Sequence, residues 1–211
     1  MTLSLIIFNS LVFFYELSLG SETQAFLSTY GVVPSNLVQW PASGQSLASV
    51  AVPYLTSMFL HGGWFHLIGN MWYLWIFGDN VEDRLGHFRF LTFYLLAGLG
   101  AALVHTGVNY SVEIPTVGAS GAVAGVLGAY LILYPFARVL MLIPILFIWQ
   151  IVEIPAILVL GLWFLIQFLS GTSALAIAST PDGGVAWWAH VGGFVLGMAL
   201  LGVMKPKNVQ N

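Results

Sequence analysis

The fold class predicted is all-α: a polytopic membrane protein whose core is a bundle of six transmembrane helices. Three observations carry this. Of 211 residues, 59% are hydrophobic and only 6% charged, with a mean hydropathy of +0.92; a soluble domain carries about 25% charged residues. Apolar runs long enough to cross a hydrocarbon core of about 30 Å recur along the chain. The five basic residues, Arg84, Arg89, Arg138, Lys205 and Lys207, all fall on one side of a six-span arrangement. The whole chain, 1–211, reads as a single membrane-embedded domain without internal repeats.

Composition also excludes function classes. Without a basic stretch there is no footprint for nucleic acid. Without cysteine there is no disulfide, no thiol nucleophile and no Cys-ligated metal. No histidine is followed by glutamate, so the H-E-x-x-H pattern of a zinc protease is missing. The aspartates Asp79, Asp83 and Asp182 fall in loops on opposite sides, so they cannot form a catalytic pair. Neither a metal nor a cofactor is expected.

The first span is read from about Thr2 to Leu19; it lacks the basic n-region of a signal peptide and carries Asn9 and Glu16. A polar connection follows, from Gly20 to about Val50, with Tyr30 and Trp40 suited to a membrane interface. Span two is placed at about Val52 to Gly78 and span three at about Phe88 to His105. Span four runs from Ala119 to about Tyr134, and span six from about Trp188 to Met204. Val139 to Leu169 is one apolar stretch, roughly 45 Å as a single helix and too long for one crossing. Pro144 and Pro155 divide it. Val139 to about Ile151 is expected to lie along one membrane face, with span five starting near Pro155.

The positive-inside rule makes the basic side cytoplasmic. The expected location is therefore the cell (inner) membrane, multi-pass, with both termini cytoplasmic.

Polar residues on the spans sort by depth. Ser120 precedes Pro135 by 15 residues, and His190 precedes Lys205 by 15. Both then lie about 22 Å above the inner boundary at 1.5 Å per residue. His66 lies about 20 Å above it by the same rise, and Asn70 is one turn deeper on the same face. Span four is too short to cross, so the segment "NYSVEIPTVG" before it must dip toward the bilayer. Irregular backbone is tolerated there only under protein cover or along a wet cavity. This implies a hollow open to the outside with Ser120 at its floor, in a helical first turn whose N–H groups favour negative charge.

Two stripes of small residues point to a close helix contact: Gly121, Gly125 and Gly128 on span four, and Ala189, Gly193 and Gly197 on span six. If they meet, Ser120 and His190 are neighbours, as a Ser–His pair requires. Each residue alone has a plainer reading: packing for Ser120, interhelical bonding for Asn70, a wet interface for His66, helix capping for His190. Their common depth favours chemistry. His61, His87 and His105, Gln150 and Glu153, and the Glu82–Asp83–Arg84 cluster are read as structural.

The chain resembles the rhomboid intramembrane serine proteases from Leu5 to Met204. "HGGWFHLIGNM" (His61 to Met71) is similar to the family's H-x4-H-x3-N pattern, and "GDNVEDRLG" to its acidic-Arg-Gly loop. "GASGA" resembles its nucleophile motif and "AHVGGFVLG" its histidine helix. The resemblance implies Ser120 as nucleophile, His190 as general base, and His66, Asn70 and the Ser120 backbone N–H as oxyanion donors. It implies cleavage of transmembrane or juxtamembrane segments of membrane proteins within the lipid bilayer. The Gly20–Val50 connection would insert laterally into the outer leaflet, and the loop from about Gly171 to Trp187 would cap the site. Where some rhomboids stack an aromatic on the histidine, four residues after the nucleophile, this chain has Ala124, so His190 must be oriented otherwise. The chain also begins almost directly in span one, so any cytoplasmic N-terminal domain is expected to be absent or to have been removed. A rhomboid-fold protein that binds client helices without cutting is the alternative; a channel or transporter is disfavoured by the lack of an intramembrane charge.

Overall fold

The computed structural model describes residues 1–145, 148–177 and 185–204. It is mostly helical. In order come α1 (Thr2–Ser18), a 3-10 turn (Gly20–Glu22), α2 (Thr23–Tyr30), α3 (Pro34–Ser43), α4 (Leu47–Thr56) and a second 3-10 turn (Ser57–Phe59). Then follow α5 (Trp64–Leu85), α6 (His87–Val108), α7 (Ser120–Leu133), β1 (Arg138–Ile145), β2 (Ile148–Pro155), α8 (Ala156–Ile177) and α9 (Trp187–Met204).

Among the described residues three helices, at His87–Val108, Ala156–Ala176 and Trp187–Met204, are long and apolar enough to span a bilayer by themselves. α1 continues into Gly20–Tyr30 through a bend of 113°, so the polar connection leaves the bundle sideways. That connection is not irregular: it is built of short helices. Pro34 opens α3 at a position where its missing N–H has no intrahelical role. The Ser46 hydroxyl caps α4 by accepting the Ser49 N–H at 3.2 Å.

Span two differs from the sequence expectation. The run beginning near Val52 is broken: α4 ends at Thr56, and α5 starts only at Trp64, after Gly62 and Gly63, and runs on to Leu85. The apolar run hides a loop because the residues between, Met58 to Leu60, are themselves hydrophobic and buried or half-buried. Gly86 then closes α5 with φ 80, a left-handed conformation natural to glycine, its N–H donating to Glu82 O at 2.6 Å. At this end Glu82 also accepts the Thr2 N–H at 2.6 Å and pairs with His87, the structural role expected of this cluster.

The all-α expectation fails at one place. Within the stretch expected to lie along one membrane face, residues 138–145 form a β-strand paired antiparallel with 148–155, Arg138 opposite Pro155 and Ile145 opposite Ile148. In a two-stranded sheet both strands are edges, so Pro144 and Pro155 are tolerated. The Arg138 guanidinium donates to Glu153 at 3.1 Å across the base. Span five does begin after Pro155, as expected.

α7 is the central post. Every residue from Gly121 to Tyr130 is buried. Its 14 residues give about 21 Å, less than the hydrocarbon thickness. α5, α6, α8 and α9 surround it, and the core gathers Leu74, Phe77, Phe90, Phe93, Leu127 and Leu160 between them.

Candidate active site

The two small-residue stripes meet. A Cβ placed on Gly193 would lie 2.0 Å from the Gly121 carbonyl oxygen, and one on Gly197 would lie 2.1 Å from that of Gly125. A Cβ on Gly128 would fall 2.1 Å from Phe194 O. No side chain fits in these gaps, so α7 and α9 run backbone against backbone. At the top of the seam Gly121 faces Ala189, with the same construction reaching the Ala189 carbonyl oxygen at 3.7 Å. Ser120 and His190 are the residues adjoining that contact. Among the described residues the Ser120 hydroxyl makes no hydrogen bond. What the seam fixes is the contact of Gly121 with Ala189, the residues next to Ser120 and His190 in the chain.

The segment before Ser120 is held by hydrogen bonds to the rest of the protein. Val32 and Thr116 exchange backbone hydrogen bonds at 3.0 and 2.7 Å, and the Ser35 N–H donates to Val112 O at 3.0 Å. The Gly118 N–H donates to Ser57 O at 2.9 Å, and the Thr116 hydroxyl lies 3.2 Å from Nε2 of His105. His105 is thus a structural anchor for this loop, in line with the plain reading.

Gly118 has φ 128, which other residues rarely adopt, and a Cβ there would meet Nε2 of His66 at 2.5 Å and Oγ of Ser120 at 3.6 Å. The His66 ring therefore lies against the Gly118 backbone, beside the serine. Asn70, one turn along α5, is 6% exposed and its amide nitrogen has no partner. An unpaired buried donor is uncommon and costs stability unless something accepts from it. α7 starts at Ser120, and the first i→i−4 bond into the helix is Val123 N–H to Ala119 O at 2.9 Å. The N–H groups of Ser120, Gly121 and Ala122 precede it and have no intrahelical acceptor. A cavity of about 30 Å³ lies behind the serine, with Ser57, His105, Thr116 and Ser120 on its wall, enough for about one water molecule.

His190 is half-buried in the first turn of α9. Its Nδ1 lies 2.7 Å from Oε1 of Gln167 on α8. The Trp163 ring lies over it, centroids 5.8 Å apart and planes inclined by 33°, and Trp187 meets it edge-on at 6.3 Å. The orientation left open by Ala124 thus comes from α8. Sequence reading missed Gln167 and Trp163, although Gln167 interrupts an otherwise apolar helix, the signal that marks a polar residue in a membrane as functional.

Two expectations about the surroundings change. Gly171 to Ile177 belong to α8 rather than to a capping loop. The rest of that loop, 178–184, with Asp182, lies outside the described residues, as do Lys205 and Lys207. One buried carboxylate does sit on a span: Glu16 of α1, 1% exposed, accepts the His61 N–H at 3.2 Å.

A short central helix starting at a serine, in glycine contact with a helix starting near a histidine, and further helices long and apolar enough to cross a bilayer define a helical membrane protein. The rhomboid domain family matches residues 48–207, and the chain belongs to the rhomboid family. It is 32% identical over 158 residues to Rhomboid-like protein 11, chloroplastic, of Arabidopsis thaliana, covering 72% of this chain and 52% of that protein. It is 30% identical over 145 residues to Rhomboid protease AarA of Providencia stuartii, covering 63% of this chain and 50% of that protein. To RHOMBOID-like protein 5 of Arabidopsis thaliana it is 40% identical over 77 residues, 36% of this chain and 25% of that protein. The chain spans about half or less of the length of these relatives.

Proposed function

We propose that this chain is an intramembrane serine endopeptidase that cuts transmembrane or juxtamembrane segments of other membrane proteins with a Ser120–His190 dyad and no cofactor. The observation that carries this reading is the α7–α9 glycine seam, which sets the serine and the histidine at adjoining helix starts. The name of the relative AarA, a rhomboid protease, agrees with it.

In this mechanism Nε2 of His190 takes the Ser120 proton as Oγ attacks the scissile carbonyl. The resulting oxyanion is met by the Ser120 N–H, by the partnerless Asn70 amide and by His66. His190 then returns the proton to the leaving amine, and the chain beyond the cut departs. Water, activated by the same histidine, attacks the acyl ester, and Ser120 is regenerated. The cavity behind the serine is a reasonable source for that water.

The enzyme is proposed to sit in the cell (inner) membrane with both termini cytoplasmic. Arg84, Arg89 and Arg138 support this, since they fall at the end of α5, the start of α6 and the stretch after α7, all at one end of the bundle.

The test is labelling by a fluorophosphonate together with cleavage of a model membrane substrate. Wild type is expected to label and cut. Ser120→Ala and His190→Ala are expected to fold and do neither, with the double variant no worse than either single one, because the pair acts as a unit. Substantial cleavage by purified Ser120→Ala would leave the alternative, a rhomboid protein that binds client helices.

A further inference from the structure

We infer that Gln167 is a positioning residue for catalysis: its side-chain carbonyl holds the proton of His190 on Nδ1 and so leaves Nε2 bare to accept from Ser120. This rests on the Ser120–His190 reading above and adds to it the third member of a Gln–His–Ser relay.

The contact is 2.7 Å between Gln167 Oε1 and His190 Nδ1. A glutamine carbonyl oxygen only accepts, so at this contact Nδ1 must donate. In a neutral imidazole a proton on Nδ1 fixes Nε2 as the acceptor. A free neutral histidine prefers the opposite form, with the proton on Nε2, which leaves that nitrogen unable to accept from a hydroxyl. The environment of His190 must therefore reverse an intrinsic preference, and Gln167 is the group in place to do so. It is 7% exposed, which keeps water from competing for Nδ1.

Trp163 sits four residues before Gln167 on the same face of α8, with its ring over the imidazole. The two side chains fix both the tilt of the ring and the site of its proton. A neutral amide suits this location. A carboxylate would stabilise the imidazolium more strongly, but at the cost of burying a charge.

The experiment uses the full chain in micelles, labelled with ¹⁵N-histidine at a pH where imidazoles are neutral, with the His190 resonances assigned by their loss in His190→Ala. In wild type the proton is expected on Nδ1. In Gln167→Met, which keeps the side-chain length, the Nε2–H form is expected to become the major one. The same variant, and Gln167→Leu as a second should the first fail to fold, is expected to lose between about tenfold and 100-fold in kcat with KM nearly unchanged. That is less than the full contribution of a general base, about 10²–10⁴-fold. A purely structural role would not move the tautomer.

A tautomer unchanged in Gln167→Met, or a wild-type kcat in that variant, would overturn the Gln167 assignment alone. Full cleavage by His190→Ala would instead remove the dyad beneath it, and this inference too.

Discussion

Two stretches of this chain are apolar almost throughout, and they fold in opposite ways. Residues 120–133 form a helix, buried from Gly121 to Tyr130, whose glycines touch the backbone of α9. Residues 138–145 and 148–155 form two antiparallel strands whose outer face leaves Leu140, Leu142, Trp149 and Ile151 more than 60% exposed. Hydrophobicity alone does not separate them. What does is the type of apolar residue. Gly and Ala let helices approach until the backbones touch. Val and Ile, which recur at 139, 143, 148, 151, 152 and 154, prefer the pleated backbone of a strand. Small residues here build the site, and β-branched ones build a surface.

The largest expected effect tests the seam. Gly193→Val would place a side chain where the first carbon already lies 2.0 Å from the Gly121 oxygen. Backbone cannot yield as a flexible side chain does. Overpacking typically costs about 1–3 kcal/mol, and this variant should lie at or above the top of that range. Thermal unfolding in micelles should show it, and fluorophosphonate labelling should vanish with the seam. A variant that folds and labels like wild type would mean that α7 and α9 do not need contact at this closeness.

Much of this was legible in advance because membrane helices follow simple arithmetic. A rise of 1.5 Å per residue put Ser120, His190, His66 and Asn70 at similar depths, and the stripe spacing paired α7 with α9. The structure joins the same helices and lays His66 beside Gly118. The hairpin was hidden for a physical reason. A strand apolar on both faces shows no alternation of polarity, so its period of two is silent. Pro144 and Pro155 were visible, but as breaks in a helix rather than as residues of edge strands. Gln167 was hidden differently: its role depends on which face of α8 meets α9, and no local pattern specifies that.

Next in size are the proposed oxyanion donors, His66 and Asn70, which sit on α5, one helix away from the seam. His66→Ala and Asn70→Ala should each lower kcat by about 10²–10³ with little change in KM, since such donors act mainly in the transition state. Removing the Asn70 amide also removes an unpaired buried donor, so this variant should be no less stable than wild type. A slow yet stable Asn70→Ala would separate the needs of the site from those of the fold. Unchanged turnover in both variants would remove their oxyanion role.

A smaller effect lies on the substrate side. If Ser120 is the proposed nucleophile, a helical peptide bond must open to reach it, and Gly or Pro costs a helix interior about 1 or 3 kcal/mol relative to Ala. Replacing a Gly or Pro near the scissile bond of a model substrate by Leu should slow cleavage, more in bilayers than in micelles. Equal rates in bilayers for the two substrates would show that helix opening does not limit the reaction.

The smallest effect is expected at the hairpin. Leu142 and Ile151 face each other across the two strands and are 61% and 72% exposed. Changing both to Ser removes one cross-strand pair, worth about 0.2–1 kcal/mol. It leaves the ladder hydrogen bonds and the Arg138–Glu153 contact in place. Val139, Met141 and Ile143 point to the other side and stay half-buried, so the inner face keeps its packing. No described residue of the hairpin borders Ser120, His190 or Gln167, so labelling in micelles should stay within about twofold of wild type. The unfolding free energy should change by about 1 kcal/mol or less, below the loss expected for Gly193→Val. If the double variant instead lost labelling while keeping its helical content, the hairpin would be shaping the active site from the far end of α8. The division between a site built on glycine contact and a surface built on β-branched residues would then no longer hold.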